Sequence, residues 1–403
     1  MGYIHEICMA DDFSDDGTWE WMKEIAEKDG NIKIHRNDGP TRLGHTILYD
    51  TLVDMASNDI VMIYHADMYA CPKMDEMVLK HLEPGKVVSA TRIEPPLHPE
   101  GPEKVLEDFG IEPEEFKEEE LLKKVTTLQL EHGTDYNFVK FTEGIFAPWA
   151  IYKEDFLKIG GHDPLYAPQS KEDSDIFNRF VLAGYELIQT WEGFVYHMTC
   201  RGSRFKDGAL RNPAGQVFMK GRESSEWLEQ NVRSTRNFIR KWGHMVKHDE
   251  MMYPIIPPKY NVGFVVKNCD DNLLRELEPW CDVIYSDCSY ENVKRYQREE
   301  QPKTEFDLTN KIRPVALEQF PPLSVPHLQM GARGYIDSIE DPDIPDVTVE
   351  FDAKLLNANN FQYLVNLSEI LADSGEIGEM ELEIFKLTIH SLQTYEKELI
   401  LVR

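Results

Sequence analysis

Asp59-Ile60-Val61-Met62-Ile63-Tyr64-His65-Ala66-Asp67 is a short apolar run that ends abruptly in three small or polar residues. Four to six apolar residues bounded by polar ones read as a buried strand, and Asp67 then stands at its C-terminal end. In an open α/β sheet, ligands bind at the carboxyl edges of the strands. A carboxylate there is a candidate for a divalent cation, which prefers oxygen ligands and can bridge diphosphate oxygens.

Outward from this strand the chain alternates. Residues 4–10 read as an opening strand, running into Asp11-Asp12-Phe13-Ser14-Asp15-Asp16-Gly17-Thr18. Trp19 to Lys28 reads as a helix, and Ile32 and Ile34 mark a second strand. Asn37-Asp38-Gly39-Pro40 has turn chemistry. Leu48, Leu52 and Met55 give residues 43–57 helical spacing. Helices are also expected at 171–183 and 224–241, with strand-like runs at 185–190 and 193–196. Alternation of this kind predicts an α/β layer with a mostly parallel sheet flanked by helices.

Three further clusters carry chemistry. The acidic residues after the opening strand can accept hydrogen bonds from a base edge or a ribose, or can cap the helix that follows. Glu172 and Asp173 open a helix, where a carboxylate serves as a general base or complements the helix dipole. His197 follows a strand-like segment, and a neutral imidazole is a fair ligand for a transition ion.

In this order the clusters resemble the GT-A fold glycosyltransferases, family 2 in particular. The resemblance covers residues 4–245. It implies a nucleotide-sugar donor (UDP- or GDP-sugar), a divalent metal (Mn2+ or Mg2+) and an inverting displacement by an acceptor hydroxyl of a glycan or other molecule. Asp11, Asp12, Ser14, Arg42, Gly44 and His65 fall on the donor side. Asp67 and His197 fall on the metal, with His65 standing where the first Asp of an Asp-x-Asp motif is usual. Asp173 or Glu172 falls on the base. Gly144 and Trp149, in Gly144-Ile145-Phe146-Ala147-Pro148-Trp149, fall on the acceptor side. Arg179 and Gly184 also follow the family order. The family's usual first strand and helix, ahead of the Asp-Asp strand, find no counterpart. A catalytically silent scaffold of the same fold would share most of these features. A nucleotidyltransferase would need a Gly-rich, basic loop at the first strand–helix junction, which this sequence lacks.

The domain boundaries expected are 1–252 for the GT-A-like domain, 253–259 for a proline-rich linker and 260–403 for a smaller α/β domain. Within the first, 94–124 reads as a surface insertion with a solvated acidic helix, and 224–243 as a C-terminal helix whose Trp227, Phe238 and Trp242 are core rather than a sugar platform. In the second, strands are expected at 261–267, 282–286 and 347–356, a helix at 271–278 and a loop at 337–346. Leu382, Phe385, Ile389 and Leu392 have helical spacing. This domain carries no chemical motif, and docking or homo-oligomerisation is its expected role.

Composition narrows the partners. With 72 acidic and 43 basic residues the formal charge is −29, which disfavours nucleic acid. Arg201, Arg204, Lys206, Arg211, Lys220 and Arg222 offer a local basic patch for a diphosphate. An apolar fraction of 41% suits a globular chain, and no run has the length of a membrane span. Cys8, Cys71, Cys200, Cys269, Cys281 and Cys288 show no Cys-x-x-Cys spacing, so reduced thiols and a cytoplasmic setting are expected.

Overall fold

Strand β9 (Glu186–His197) organises the first part of the protein, and nine of its twelve residues are buried. In this computed structural model residues 5–132, 140–142, 144–199, 209–219, 224–315 and 345–402 are described. Ahead of β9 come β1 (Ile7–Asp12), α1 (Thr18–Lys28), β2 (Ile32–Asn37), α2 (Gly44–Met55), β3 (Ile60–Ile63), β4 (Met68–Ala70) and α3 (Met74–His81). Then follow β5 (Lys86–Glu94), β6 (Lys104–Leu106), α4 (Glu118–His132), β7 (Phe141–Thr142), β8 (Trp149–Tyr152), α5 (Lys153–Lys158) and α6 (Glu172–Leu182). After β9 lie a hairpin of β10 (Ala209–Arg211) and β11 (Val217–Met219), and helix α7 (Ser225–Trp242).

The main sheet is mixed rather than mostly parallel. Its order is β3-β8-β5-β9-β4, with β6 beside β5 and β7 beside β9. β5 and β9 run parallel, while β8 and β4 are antiparallel to their neighbours. β1 and β2 pair in parallel in a two-stranded sheet. The two strand-like runs expected at 185–190 and 193–196 are one strand. Between the pairs Ala90–Thr190 and Thr91–Phe194 the register skips Trp191, Glu192 and Gly193, a bulge that re-aims the remainder of β9. Gly193 fits because a Cβ there would lie 2.9 Å from the Met74 carbonyl oxygen.

The apolar residues form two clusters in this unit. One gathers Val61, Val87, Val88, Trp149, Phe156, Ile176, Phe177 and Phe180 from strands and helices. The other joins Ile93, Phe194 and Tyr196 to Phe109, Leu121, Val125 and Leu128. The stretch 94–124 is therefore not a surface addition. β6 extends the sheet, and α4 buries a stripe at i, i+4 and i+7 beneath its acidic outer face.

The chain divides into two compact units. The first comprises residues 1–234, Val246–Ile255 and Ile400–Arg403; the second comprises Thr235–Met245 and Ile256–Leu399. The division thus falls within α7, and the expected C-terminal helix 224–243 is shared in sequence between them. Phe238 and Trp242 are buried, as core residues. In the second unit Arg240 bonds Glu278 at 2.6 Å and Glu300 at 2.8 Å, and Lys311 bonds Glu278 at 2.8 Å.

The second unit holds β12 (Val262–Lys267), α8 (Asp271–Leu277), β13 (Val283–Ser286), α9 (Tyr290–Glu300), α10 (Leu308–Lys311) and β14 (Ile312–Pro314). β15 (Val347–Asp352), α11 (Phe361–Val365), α12 (Leu367–Ser374), β16 (Gly378–Leu382) and β17 (Phe385–Ile389) complete it. The sheet order is β14-β13-β12-β15-β17-β16, parallel from β14 to β15 and antiparallel beyond. The helical spacing expected across 382–392 belongs instead to the β16–β17 hairpin. Phe385, Leu387 and Ile389 are buried in alternation, and Glu383 turns the chain at φ 51°. The expected loop at 337–346 lies almost wholly outside the described residues, as do Cys200, Arg201, Arg204, Lys206, Lys220 and Arg222. The other five cysteines are free thiols.

Gly44 is fixed by both conformation and space. Its φ is +74° and a Cβ would lie 2.0 Å from the Pro168 carbonyl oxygen. Gly44→Ala is expected to cost more than about 1 kcal/mol of stability, whereas Gly30→Ala, with nothing within 4 Å of the new methyl, stays within about 0.5 kcal/mol. Denaturant unfolding of the two variants checks the contrast.

Candidate functional site

Three strand ends converge. β4 pairs antiparallel with β9 so that Met68 faces His197, and the Met198 amide donates to the Asp67 carbonyl at 3.0 Å. β5 runs beside β9 with Ile93 facing Tyr196, which brings Glu94 to the same end. His65, Asp67 and His197 each offer a ligand atom, and these atoms lie within 4.8 Å of one another. His65, expected on the donor side, thus falls in the same cluster as Asp67 and His197.

His197 is held from two sides. Its Nε2 is 3.4 Å from Asp67 Oδ2 and its Nδ1 is 3.1 Å from Glu94 Oε2. A carboxylate only accepts, so Nδ1 carries the proton and Nε2 is the atom turned toward Asp67. Burial disfavours the imidazolium, but Asp67 and Glu94 outweigh it and raise the His197 pKa. Burial would raise Asp67, yet the His197 bond and the neighbouring imidazoles lower it. His65 is driven down to about 4, chiefly by burial, and so presents a neutral ring.

Glu94 is the support that local sequence pattern did not reveal. It is 2% exposed, and despite burial its carboxyl is lowered to about 2 by His197, Arg92 and Lys104. Lys104 Nζ lies 3.2 Å from it and 3.4 Å from Glu103.

Helix α2 supplies a second set. His45 and Tyr49, one turn apart, share a face. Tyr49 stacks on His65 with ring centroids 6.1 Å apart and an interplanar angle of 9°, and contacts His45 and His162. Its phenol pKa is raised well above the ordinary value by burial and then by the charges of Asp173, Glu172 and Asp67. Tyr49 thus stands between the histidine–aspartate cluster and the start of α6.

At that helix start the two expected bases differ. Glu172 is 5% exposed and its Oε1 is 2.6 Å from His45 Nε2. Burial would raise it, but His45 lowers it, so Glu172 is a paired anion. Asp173 is raised to about 6 by burial and by the Glu172 charge. A carboxylate with that proton affinity is suited to accept a proton near neutral pH. Arg179 is fully buried and ties Asp175 at 2.7 Å to the Ile159 and Gly161 carbonyls, which anchors α6.

The acidic loop after β1 is mostly engaged in its own folding. Asp11 is buried, accepts from the Ser14 amide and lies 3.3 Å from Arg36 Nε. Asp12 accepts from Asn37 at 2.7 Å, the Leu43 amide at 2.9 Å and the Gly44 amide at 2.8 Å. These bonds fasten the loop to the start of α2. Ser14 gives its amide to Asp11 and its carbonyl to Arg36. Arg42 is exposed and lowers the Asp16 pKa, behind the stronger effect of the Thr18 hydrogen bonds.

Trp149 is corrected. It is 0% exposed and packs among Phe156, Phe177 and Phe180, so it has no face for an acceptor. Gly144 is buried, and a Cβ there would sit 2.9 Å from Met252 Cβ. Of residues 144–149 Phe146 alone is not buried, and the Arg92 guanidinium lies 4.6 Å over its ring. Arg211 binds Asp108 at 2.6 Å and Glu115 at 2.8 Å, so its charge is already balanced.

Residues 2–138 match glycosyl transferase family 2. That stretch of the first unit, about a third of the chain, is thus similar to family 2. Among solved structures, GalNAc-T7 with UDP, GalNAc and Mn2+ is similar at 14% identity, with a TM-score of 0.37 over 58% of this chain. The chain spans 41% of the length of that protein. No curated protein matches. Among the described residues no helix is long and apolar enough to cross a membrane.

The raised Asp173 pKa has a measurable sign. Its folded value, about 6, exceeds the ordinary 3.8, so its contribution to stability is present at low pH and is lost as pH rises through about 6. Asp173→Asn, which cannot ionise, is expected to melt higher than the parent at about pH 8 and to converge with it near pH 4. Melting curves in EDTA across that range check this; a constant offset would contradict it.

Proposed function

We propose that the protein is a metal-dependent, inverting glycosyltransferase that moves a sugar from a nucleotide-diphosphate donor to an acceptor hydroxyl. The observation that carries this reading is the presence of two unlike groups around Tyr49. One is a compact His65–Asp67–His197 cluster, and the other is a carboxylate, Asp173, with raised proton affinity.

The donor set suits a cation. Bonds of roughly 2.1 Å place opposite ligands about 4.2 Å apart, close to the 4.8 Å limit that contains the three ligand atoms. Two imidazoles and one carboxylate favour a transition ion such as Mn2+ over Mg2+. Asp67, His197 and His65 would hold the ion, leaving positions open for diphosphate oxygens. When bound, the cation supplies electrostatic stabilisation of the charge that builds on the departing diphosphate.

The chain's own groups do the rest. Asp173 accepts the acceptor hydroxyl proton as that oxygen bonds to the anomeric carbon and the bond to the diphosphate breaks. Attack from the side opposite the leaving group inverts the centre. The Glu172 charge keeps Asp173 basic, and His45 holds Glu172 as an anion. Glu94 fixes the His197 ring with Nε2 turned toward Asp67. The sugar, the nucleotide and the acceptor are matters for a screen of UDP- and GDP-sugars.

Asp67→Ala is expected to abolish the Mn2+-dependent rise in melting temperature given by UDP or GDP. Asp173→Asn is expected to retain that rise and lose transfer by at least about 100-fold. Parent-rate transfer in both variants would sink the assignment. Glu94→Gln is expected to weaken Mn2+ binding, followed by calorimetry, by roughly 10- to 100-fold, while leaving Asp67 and His197 in place.

A further inference from the structure

The side chain of Arg92 lies in the same region without a settled partner. It stands on β5 two residues before Glu94, opposite Val195, which is two residues before His197. By strand alternation Arg92 and Glu94 share a face, as do Val195 and His197. Its side chain is 13% exposed. Such a group normally uses its five N–H donors. Arg92 instead makes two loose ion pairs, NH1 at 4.0 Å from Glu94 and NH2 at 3.8 Å from Glu103, both beyond hydrogen-bond length. Its buried Nε has no partner.

What holds the guanidinium is a ring contact rather than hydrogen bonds. The Phe146 ring lies beneath it, its centroid 4.6 Å from the guanidinium carbon, a cation–π contact that uses none of the N–H donors. Glu94 and Glu103 keep the cation from being isolated, and Lys104 in turn balances both carboxylates. Glu94, 4.0 Å from Arg92, lies 3.1 Å from His197, so the guanidinium stands beside the histidine–aspartate cluster. A planar fork with unused donors beside a cation cluster matches the oxygens of a phosphate.

We propose that Arg92, seated on Phe146, binds the diphosphate of the donor and stabilises it as the leaving group. This rests on the glycosyltransferase reading above and adds a residue to it. Lysine keeps the charge but not the two-pronged edge, so the two properties separate by substitution.

The test is calorimetric titration of UDP and of GDP, each with MnCl2 and without acceptor, into the parent protein, Arg92→Met and Arg92→Lys. The expected result is affinity weakened roughly 10- to 100-fold in Arg92→Met and by a smaller factor in Arg92→Lys, with apo melting temperatures of Arg92→Lys and parent alike. Should Arg92→Met not fold, Arg92→Lys decides: weaker binding supports the proposal and parent affinity overturns it. Parent-like affinity in both variants, or a defect confined to the acceptor KM, overturns it while leaving the glycosyltransferase reading intact. A parent protein that binds neither nucleotide with Mn2+ removes both.

Discussion

The register of β9 against β4 and β5 is the constraint on which the candidate site depends. Three residues skipped between Thr190 and Phe194 shift the second half of the strand, so that His197 arrives beside Asp67 and Glu94. A one-residue slip would turn every side chain of that half to the opposite face. The surrounding packing opposes such a slip. Val195 and Tyr196 are completely buried, and the Tyr196 hydroxyl accepts from the Phe109 amide and donates to the Gly110 carbonyl. Core packing around 94–124 and the placement of His197 are thus one structural fact.

Charge is concentrated there at a cost that only mutual pairing offsets. Glu94, Glu103, Lys104 and Arg92 are all largely buried, and an unpaired member of such a set destabilises by roughly 3–5 kcal/mol. The set is balanced in sign, and its hydrogen bonding is completed toward His197 but left open at Arg92. A second pairing, His45 with Glu172, leaves Asp173 as the carboxylate with the higher proton affinity. Two acids adjacent in sequence are thereby given different properties, the pattern by which titratable neighbours are separated into distinct roles.

Much of this was legible in the sequence where the signal was local. The strand ending in Asp67, the helix opening at Glu172 and the strand ending in His197 each follow from periodicity and from polar residues at element ends. The missed residues depend on non-local pairing. Glu94 reads as the start of a surface insertion until β6 pairs with β5. His45 and Tyr49 have the i, i+4 spacing of any helix face. Arg92 alternates with apolar neighbours like an ordinary strand residue. The misread ones show the converse. Trp149, expected on the acceptor side, has the chemistry of a sugar platform but fills the core. In 382–392, four apolar residues fit a helical period and also a hairpin, and pairing with β15 decided between them.

The central claim is that His65, Asp67 and His197 hold one divalent cation that meets the donor diphosphate. Anomalous diffraction at the manganese edge, from crystals grown with MnCl2 and a nucleoside diphosphate, tests it most directly. The account predicts a single strong peak within bonding distance of all three side chains and of the diphosphate oxygens. A peak elsewhere, or none while His197 keeps its contact with Asp67, would contradict it.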